Sequence, residues 1–333
     1  MASFFFGDVP DDQKTDWSIV ADSMNPIKDY YIDPNVTDIL INRYDNIFIV
    51  KNGKYLKVDN TYTSELALER FLNQMSNALH QDIDGVLDAR FPDCSRACFT
   101  TKDVTPSGIT VSIRINRQIA FTLDDLVNNN ALSKNMSDYL VSCIKERHNF
   151  LVCGGTGSGK TTLLRALSMH VPPTERILVA EDTQELNLTW FPNMVSMEAP
   201  HRKGSRVNLP FLIKTMLRQN GDRAWVGEIR DSASADAFLQ CIDTGTQGVS
   251  ATMHAPNLKS AIKKLQYLLS SQGLTSYEIA GMKVLENIQV FIQAIRSNKY
   301  GRRIIDISYS DGDNLICKYK FNFQTGEYDE FNH

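Results

Sequence analysis

The alternation of apolar and polar residues changes its rhythm partway along the chain. Asp45 to Val58 reads as two strands around an Asn52-Gly53 turn, a dipeptide that supplies the positive φ angles of a tight hairpin. Ser64 can cap a helix, after which Leu68, Phe71, Leu72, Met75 and Leu79 fall on one stripe at helical spacing. Val111, Ile113 and Ile115 alternate with Ser112 and Arg114, which predicts a strand with a core face and Arg114 on the other side. Thr122-Leu123-Asp124-Asp125-Leu126 and the run Asn128-Asn129-Asn130 form a polar joint, followed by a helix carrying Met136, Leu140, Val141 and Ile144. From Asn149 onward, short apolar runs alternate with helical stretches, the rhythm of a parallel α/β sheet. From Arg302 the pattern is again β-like, with turns at Asp311-Gly312 and Thr325-Gly326. The first 35 residues are polar, carry Pro10, Pro26 and Pro34, and predict a loosely ordered arm or the edge of a domain. The expected organisation is therefore an arm over 1–35, an α+β domain over 36–130 and an α/β domain over 131–333.

A chain of 333 residues suits two domains at roughly 150 residues each. Its net charge of −4 excludes a strongly basic nucleic-acid coat, though not a local basic patch. No apolar run approaches the roughly 20 residues a spanning helix needs; Phe4-Phe5-Phe6 and the run 149–153 are far shorter. The N-terminus has no basic segment followed by an apolar one, so no signal peptide is expected. Cys94 and Cys98 are the only closely spaced cysteines of six, and no second pair completes a zinc set. Reduced thiols in a cytoplasmic protein are expected, with a structural disulfide as the alternative.

The strongest chemical signal is Gly154-Gly155-Thr156-Gly157-Ser158-Gly159-Lys160-Thr161-Thr162, a full G-x-x-x-x-G-K-[ST] phosphate loop. The apolar strand 150–153 precedes it, and Leu163, Leu164, Leu167 and Val171 make a helical stripe that Pro172-Pro173 ends. Glycines let backbone N–H groups converge on an anion, and the helix start adds partial positive charge. Lys160 is expected on the β- and γ-phosphates and Thr161 on Mg²⁺. The base-reading N-K-x-D of GTPases is absent, since Tyr300-Gly301 follows Asn298-Lys299, so ATP is the expected nucleotide.

Two acidic segments follow predicted strands, where α/β sheets bind ligands. Residues 176–180 lead into Glu181-Asp182-Thr183-Gln184-Glu185-Leu186, and residues 224–226 lead into Gly227-Glu228-Ile229-Arg230-Asp231. The second is similar to a Walker B element with glutamate where many ATPases carry aspartate; either segment also fits a solvated loop. A third predicted strand, 247–253, ends at His254, which by spacing alone fits a structural or a functional residue equally.

In this order, the phosphate loop, Glu-Asp-x-x-Glu-Leu, Gly-Glu-Ile-Arg-Asp and Thr252-Met253-His254-Ala255 resemble the secretion traffic ATPases. The chain looks most like the hexameric type IV secretion and tight-adherence pilus branch. Leu87-Asp88-Ala89-Arg90-Phe91-Pro92-Asp93, Ser112-Ile113-Arg114 and Leu217-Arg218 extend the likeness to about residues 36–307. The resemblance implies a smaller mixed α+β N-terminal domain beside a RecA-like P-loop ATPase domain, with ATP and Mg²⁺ at their junction. It implies that Glu185 polarises the attacking water, that Glu228 supports Mg²⁺ and its water shell with Thr161, and that His254 senses the γ-phosphate. Arg90, Arg96, Arg114 and Arg117 become candidates to neutralise charge on the transferring phosphoryl group, Arg114 foremost. Each also fits an ordinary surface ion pair.

Three departures stand out. Thr246 replaces a histidine of the Thr-Gly-His histidine box, which would alter sensing. Cys94 stands where glycine is common. The turn Leu217-Arg218-Gln219-Asn220-Gly221-Asp222 lacks the usual proline and is expected to be looser.

The implied function is ATP hydrolysis driving domain motion in a type IV secretion machine for conjugation or effector export. The implied assembly is a homo-hexamer, cytoplasmic and peripheral at a bacterial inner membrane, attached through secretion-machinery proteins. Pilus assembly or retraction is the first alternative, and a nucleic-acid translocase on the same core the second. Direct nucleic-acid binding is not expected, since Lys259, Lys263 and Lys264 read as one solvated helix face.

Overall fold

A computed structural model describes residues 9, 11–116, 121–188, 190–200, 205–271, 273 and 275–331. Contacts divide the chain into two compact units, 1–118 and 119–333.

In the first unit, helices α1 (Lys14–Ser23) and α2 (Lys28–Ile32) lead into β1 (Val36–Arg43), β2 (Asn46–Lys51) and β3 (Lys54–Val58). Helix α3 (Glu65–Leu79) and strands β4 (Val86–Arg90), β5 (Arg96–Thr100) and β6 (Thr110–Arg114) follow. The strands form one antiparallel sheet in the order β3-β2-β1-β6-β5-β4. The predicted hairpin turn is present, with Asn52 at φ 51° and Gly53 at φ 77°. Ser64 caps α3, its side chain accepting from the Ala67 N–H at 3.3 Å, and the predicted stripe Leu68, Phe71, Leu72 and Met75 is buried.

The expected arm is corrected over most of its length. Residues 14–32 are helical, and Trp17, Val20, Ala21, Met24, Ile27 and Tyr31 belong to the core of the first unit. Trp17, Val20, Ala21 and Met24 recur at i, i+3, i+4 and i+7, a helical stripe that the prolines obscure in the sequence. Pro26 sits in a short 3₁₀ turn, Asn25–Ile27, where its missing N–H costs nothing. Residues 1–8 and Pro10 lie outside the described residues.

The second unit starts earlier than the expected boundary at 130. Helix α4 (Leu123–Asn128) places Leu123 in the second unit's core, together with Ala131 and Leu132. The asparagine run is therefore a turn inside this unit: Asn130 takes the left-handed region at φ 53°, and the Ala131 N–H donates to Leu126 O at 2.7 Å.

Helix α5 (Lys134–Lys145), β7 (Phe150–Gly154), α6 (Lys160–Ser168), β8 (Ile177–Glu181), β9 (Met194–Glu198), α7 (Leu209–Met216) and β10 (Arg223–Glu228) follow. Then come α8 (Ser232–Asp243), β11 (Ser250–Met253), α9 (Leu258–Ser270), α10 (Tyr277–Asn287) and β12 (Val290–Ser297). An antiparallel edge of β13 (Gly301–Ser310), β14 (Leu315–Phe321) and β15 (Tyr328–Glu330) completes the sheet. The nine strands run β15-β14-β13-β12-β7-β11-β10-β8-β9, with parallel pairing from β12 to β9. Apolar cores cover both faces, so β7 and β8 are buried at every position. This is the predicted α/β layering. The carboxyl ends of β7, β8, β10 and β11, neighbours or near neighbours in the sheet, release their loops along one edge.

The turn before β10 is tied by side chains rather than by a proline. Asp222 accepts from the Arg176 N–H at 2.8 Å, and Arg176 Nε donates to Gln219 O at 3.2 Å. Asn220 takes φ 51° there, which corrects the expectation of a loose turn.

Candidate nucleotide-binding site

Strand β7 carries the chain straight into the phosphate loop, and α6 begins at Lys160. Gly154 is fixed by its surroundings. At φ 156°, a Cβ there would lie 2.3 Å from Ala294 O on β12 and 2.6 Å from Ser158 Oγ. Lys160 is folded back and buried, its Nζ donating to Gly154 O at 3.1 Å and to Gly155 O at 3.0 Å. That places the ammonium inside the loop. The Ser158 hydroxyl is buried in the same loop and makes no hydrogen bond among the described residues. Buried polar atoms ordinarily have partners, so this loop has hydrogen-bonding capacity left for an anion. Gly155 and Thr156 are exposed; Gly157, Gly159, Thr161 and Thr162 are half-buried.

Thr161 Oγ1 donates to Glu185 Oε2 at 3.2 Å, which joins the loop to the first acidic segment. The backbone around Glu185 is set by Glu181 at the end of β8, a residue not among the sequence-based site candidates. Glu181 is 1% exposed, and its Oε1 accepts from the Glu185 N–H at 2.9 Å and the Leu186 N–H at 3.0 Å. Gly227 on β10 leaves room for it: a Cβ at Gly227 would come 2.9 Å from Glu181 Cγ. An acidic residue ending an otherwise apolar strand was the available signal.

At the end of β10, Glu228 meets His254, with Oε1 and Nε2 3.3 Å apart. Arg230 reaches Glu228 Oε2 at 3.1 Å and Asp182 Oδ2 at 3.8 Å, bridging the two acidic segments. The Glu228 carboxylate holds the Arg230 guanidinium above its ordinary range. Burial lowers the His254 pKa below 6.5, and the Lys160, Lys264 and Arg230 cations lower it further against an opposing pull from Glu228. The imidazole is thus neutral at pH 7. Lys264 does not join a solvated face as expected; its Nζ donates to His254 O at 3.1 Å, bracing the strand end that presents the histidine.

These residues suit a magnesium nucleotide. Mg²⁺ takes oxygen ligands, retains waters and leans on substrate phosphates. The Thr161 hydroxyl would supply one oxygen, and Glu228 stands at the end of β10, separated from β7 by β11. Among the described residues no group of three or more His, Cys, Asp or Glu could hold a metal by itself.

The first unit contributes a separate feature. Arg90, Arg96 and Arg114 are direct cross-strand partners over β4, β5 and β6, and Asp38 on β1 lies opposite Arg114. Three arginines therefore share one row on one face of that sheet. Cys94, in the turn between β4 and β5, takes φ 67°, the left-handed region in which glycine is at ease. Arg117 lies outside the described residues. Thr246 lies in the turn after α8, its N–H donating to Cys241 O at 3.2 Å.

Comparison with known proteins agrees with this architecture. The family described as type II/IV secretion system protein matches residues 20–304. The conjugal transfer protein TrbB of Rhizobium radiobacter is 27% identical over 286 residues, covering 84% of this chain and 85% of that protein. An uncharacterised protein of Methanocaldococcus jannaschii is 32% identical over 231 residues, 66% of this chain; the match spans only 32% of that longer protein. Among solved structures, the pilus retraction motor PilT with bound ADP superposes with a TM-score of 0.64 at 18% identity, covering 88% of this chain and 82% of that one. The shared fold is an N-terminal α+β unit followed by a RecA-like unit.

Proposed function

The chain belongs to the type II/IV secretion system protein family, and from that premise we propose that it is an ATPase motor of a type IV secretion machine for conjugation or effector export. The observation that carries this reading is the convergence of the phosphate loop, Glu185, Glu228 and His254 at the carboxyl edge of one parallel sheet. Loop N–H groups and Lys160 bind the β- and γ-phosphates. Thr161 and Glu228 would hold Mg²⁺, which would supply charge neutralisation to the phosphates. Glu185 orients a water whose oxygen attacks the γ-phosphorus as the bond to the β–γ bridging oxygen breaks, giving ADP and phosphate. His254, neutral and tied to Glu228, registers whether the γ-phosphate is present.

The arginine row of the first unit, Arg114 foremost, supplies positive charge to the transferring phosphoryl group when that unit meets a phosphate loop. Hydrolysis then changes the relation of the two units, and that motion works on membrane-bound machinery through protein partners. A homo-hexamer in the cytoplasm, peripheral at the inner membrane, is the assembly this reading calls for. Among the described residues no helix is long and apolar enough to cross a membrane.

ATPase rate measured against protein concentration, with and without DNA, tests the reading. Turnover per subunit should rise with concentration, ignore DNA and vanish in Lys160→Ala while the circular dichroism spectrum is unchanged. A fully active monomer stimulated by DNA would replace the secretion motor with a translocase.

A further inference from the structure

One polar residue interrupts the apolar run of β12. Gln293 stands between Ile292 and Ala294 and is 2% exposed. It lies directly opposite Cys153, the residue before the phosphate loop, and Cys153 lies opposite Met253, the last residue of β11. Directly paired residues of neighbouring strands point to the same face, so Met253, Cys153 and Gln293 form one row. The apolar core on that face includes Met253 and Cys153 together with Ala255, Leu258 and Leu265.

Across this row, Gln293 Nε2 donates to Ala255 O at 3.2 Å, two residues beyond the end of β11. That bond joins the contacts that fix the backbone around His254. Lys264 Nζ on α9 holds His254 O, and Thr252 Oγ1 donates to Gly227 O at 2.6 Å, beside Glu228. The imidazole that meets Glu228 is therefore presented by a turn held from α9, β10 and β12. The same strand supports the phosphate loop. Ala294, next in sequence, pairs with Gly154, and its carbonyl oxygen is the atom that a Cβ on Gly154 would meet at 2.3 Å. The loop start and the histidine turn thus rest on consecutive residues of β12.

Stability does not account for a glutamine here. Its Oε1 is buried without a hydrogen-bond partner among the described residues. An unpaired buried acceptor costs at least as much as one neutral hydrogen bond contributes, so an apolar side chain of similar size would serve the core equally well. What the amide adds is a fixed distance between β12 and Ala255. Resting on the nucleotide-binding reading above, we infer that Gln293 is a positioning residue for γ-phosphate sensing: it holds the turn that presents His254 to Glu228 in register with the start of the phosphate loop.

Affinities of the full chain for ADP and for the magnesium complex of a non-hydrolysable ATP analogue test this, because their ratio reports what the γ-phosphate adds. Gln293→Leu removes the donor and the orphan acceptor together. It should lower the ratio about fivefold, the scale of one hydrogen bond, with ADP affinity within about twofold. Turnover should fall with the ratio. Gln293→Met serves the same test if the leucine variant does not fold. In a His254→Gln chain, which has lost the imidazole, the Gln293 substitution should move the ratio less than about twofold, because residues that act through one another are not additive. A merely structural glutamine would shift the urea midpoint and leave the ratio unchanged, which would overturn the inference. An equal loss of ratio in both backgrounds would overturn it too, as would a loss of ADP affinity in step with the analogue, which would assign Gln293 to the loop alone. Failure of the native protein to bind either nucleotide would instead sink the nucleotide-binding reading itself.

Discussion

Arginines stand side by side across β-strands in both units of this chain, but they answer different questions. The Arg296–Arg302 pair borders the phosphate loop of its own unit, and Arg302 already touches a loop carbonyl. The Arg90–Arg96–Arg114 row belongs to the unit without a phosphate loop. A row of like charges disfavours strand pairing in either place, and on the proposed reading the nucleotide is an anionic partner that each row could meet. Where the loop is local, that partner would be met without any rearrangement, and the arginines would serve affinity. On the proposed motor reading, arginines in the other unit would meet that partner only through assembly, and would make hydrolysis conditional on it. Placement in the chain would thus separate a binding role from a coupling role among identical side chains.

The largest effect that sharpens this comparison is expected from Arg114→Ala. An arginine acting on the transferring phosphoryl group is worth about 10³-fold or more in turnover. Arg114→Ala should lower kcat on that scale while ADP affinity stays within about twofold, the reverse of the pattern expected of an arginine that serves affinity. Mixing Arg114→Ala chains with Lys160→Ala chains adds a geometric test. Each is inactive alone, and activity returns in the mixture only if one chain's arginine serves another chain's loop. An Arg114→Ala chain that loses ADP affinity as much as turnover would collapse the two arginine sets into one binding role.

A smaller effect concerns how the loop unit senses its ligand. His254 is held below its ordinary pKa by burial and by the Lys160, Lys264 and Arg230 cations. In the unfolded chain it takes up a proton near pH 6.5, and in the folded chain only at lower pH. Neutral His254 therefore persists above pH 6.5, and both its contribution to stability and the activity that needs it should decline as pH falls through its lowered folded value. His254→Gln should flatten the acid limb of the kcat profile. An unchanged acid limb would remove His254 from the γ-phosphate and leave Lys264 bracing a merely structural strand end.

How much of this was legible in the sequence follows from what each feature depends on. The phosphate loop was plain because its spacing is local: one strand, one turn and one helix within 20 residues. The ordered acidic segments were plain for the same reason. The arginine row was legible only as separate candidates, because cross-strand register joins Arg90, Arg96 and Arg114 across a separation that no local pattern encodes. Arg296 and Arg302 lie six positions apart, yet only the hairpin register and the overhang beyond β7 make them neighbours of Gly157. Composition rules assign Lys264 to solvent and do not separate Glu181 from the other acids of its segment, whereas both are turned inward to hold backbone at the site. The N-terminal helices were hidden because three prolines outweighed a four-residue stripe.

The smallest expected effect tests the support of the arginine row rather than the row itself. Cys94 occupies the turn between β4 and β5, four residues from Arg90 and two from Arg96, and it takes φ 67°. A side chain in that region costs about 1 kcal/mol, which glycine avoids. Against that, Arg90 Nη2 lies 3.2 Å from Cys94 Sγ, a weak contact that glycine would lose. The backbone relief is offset by the lost sulfur contact and by glycine's greater freedom in the unfolded chain, so Cys94→Gly should leave stability within about 0.5 kcal/mol in urea unfolding. Turnover should hold, because the strand register that aligns the three arginines is carried by backbone pairing on either side of the turn. If Cys94→Gly instead lowered kcat while raising stability, the thiol would be holding Arg90 in a working position, and the row would depend on its turn as closely as Arg302 depends on the loop.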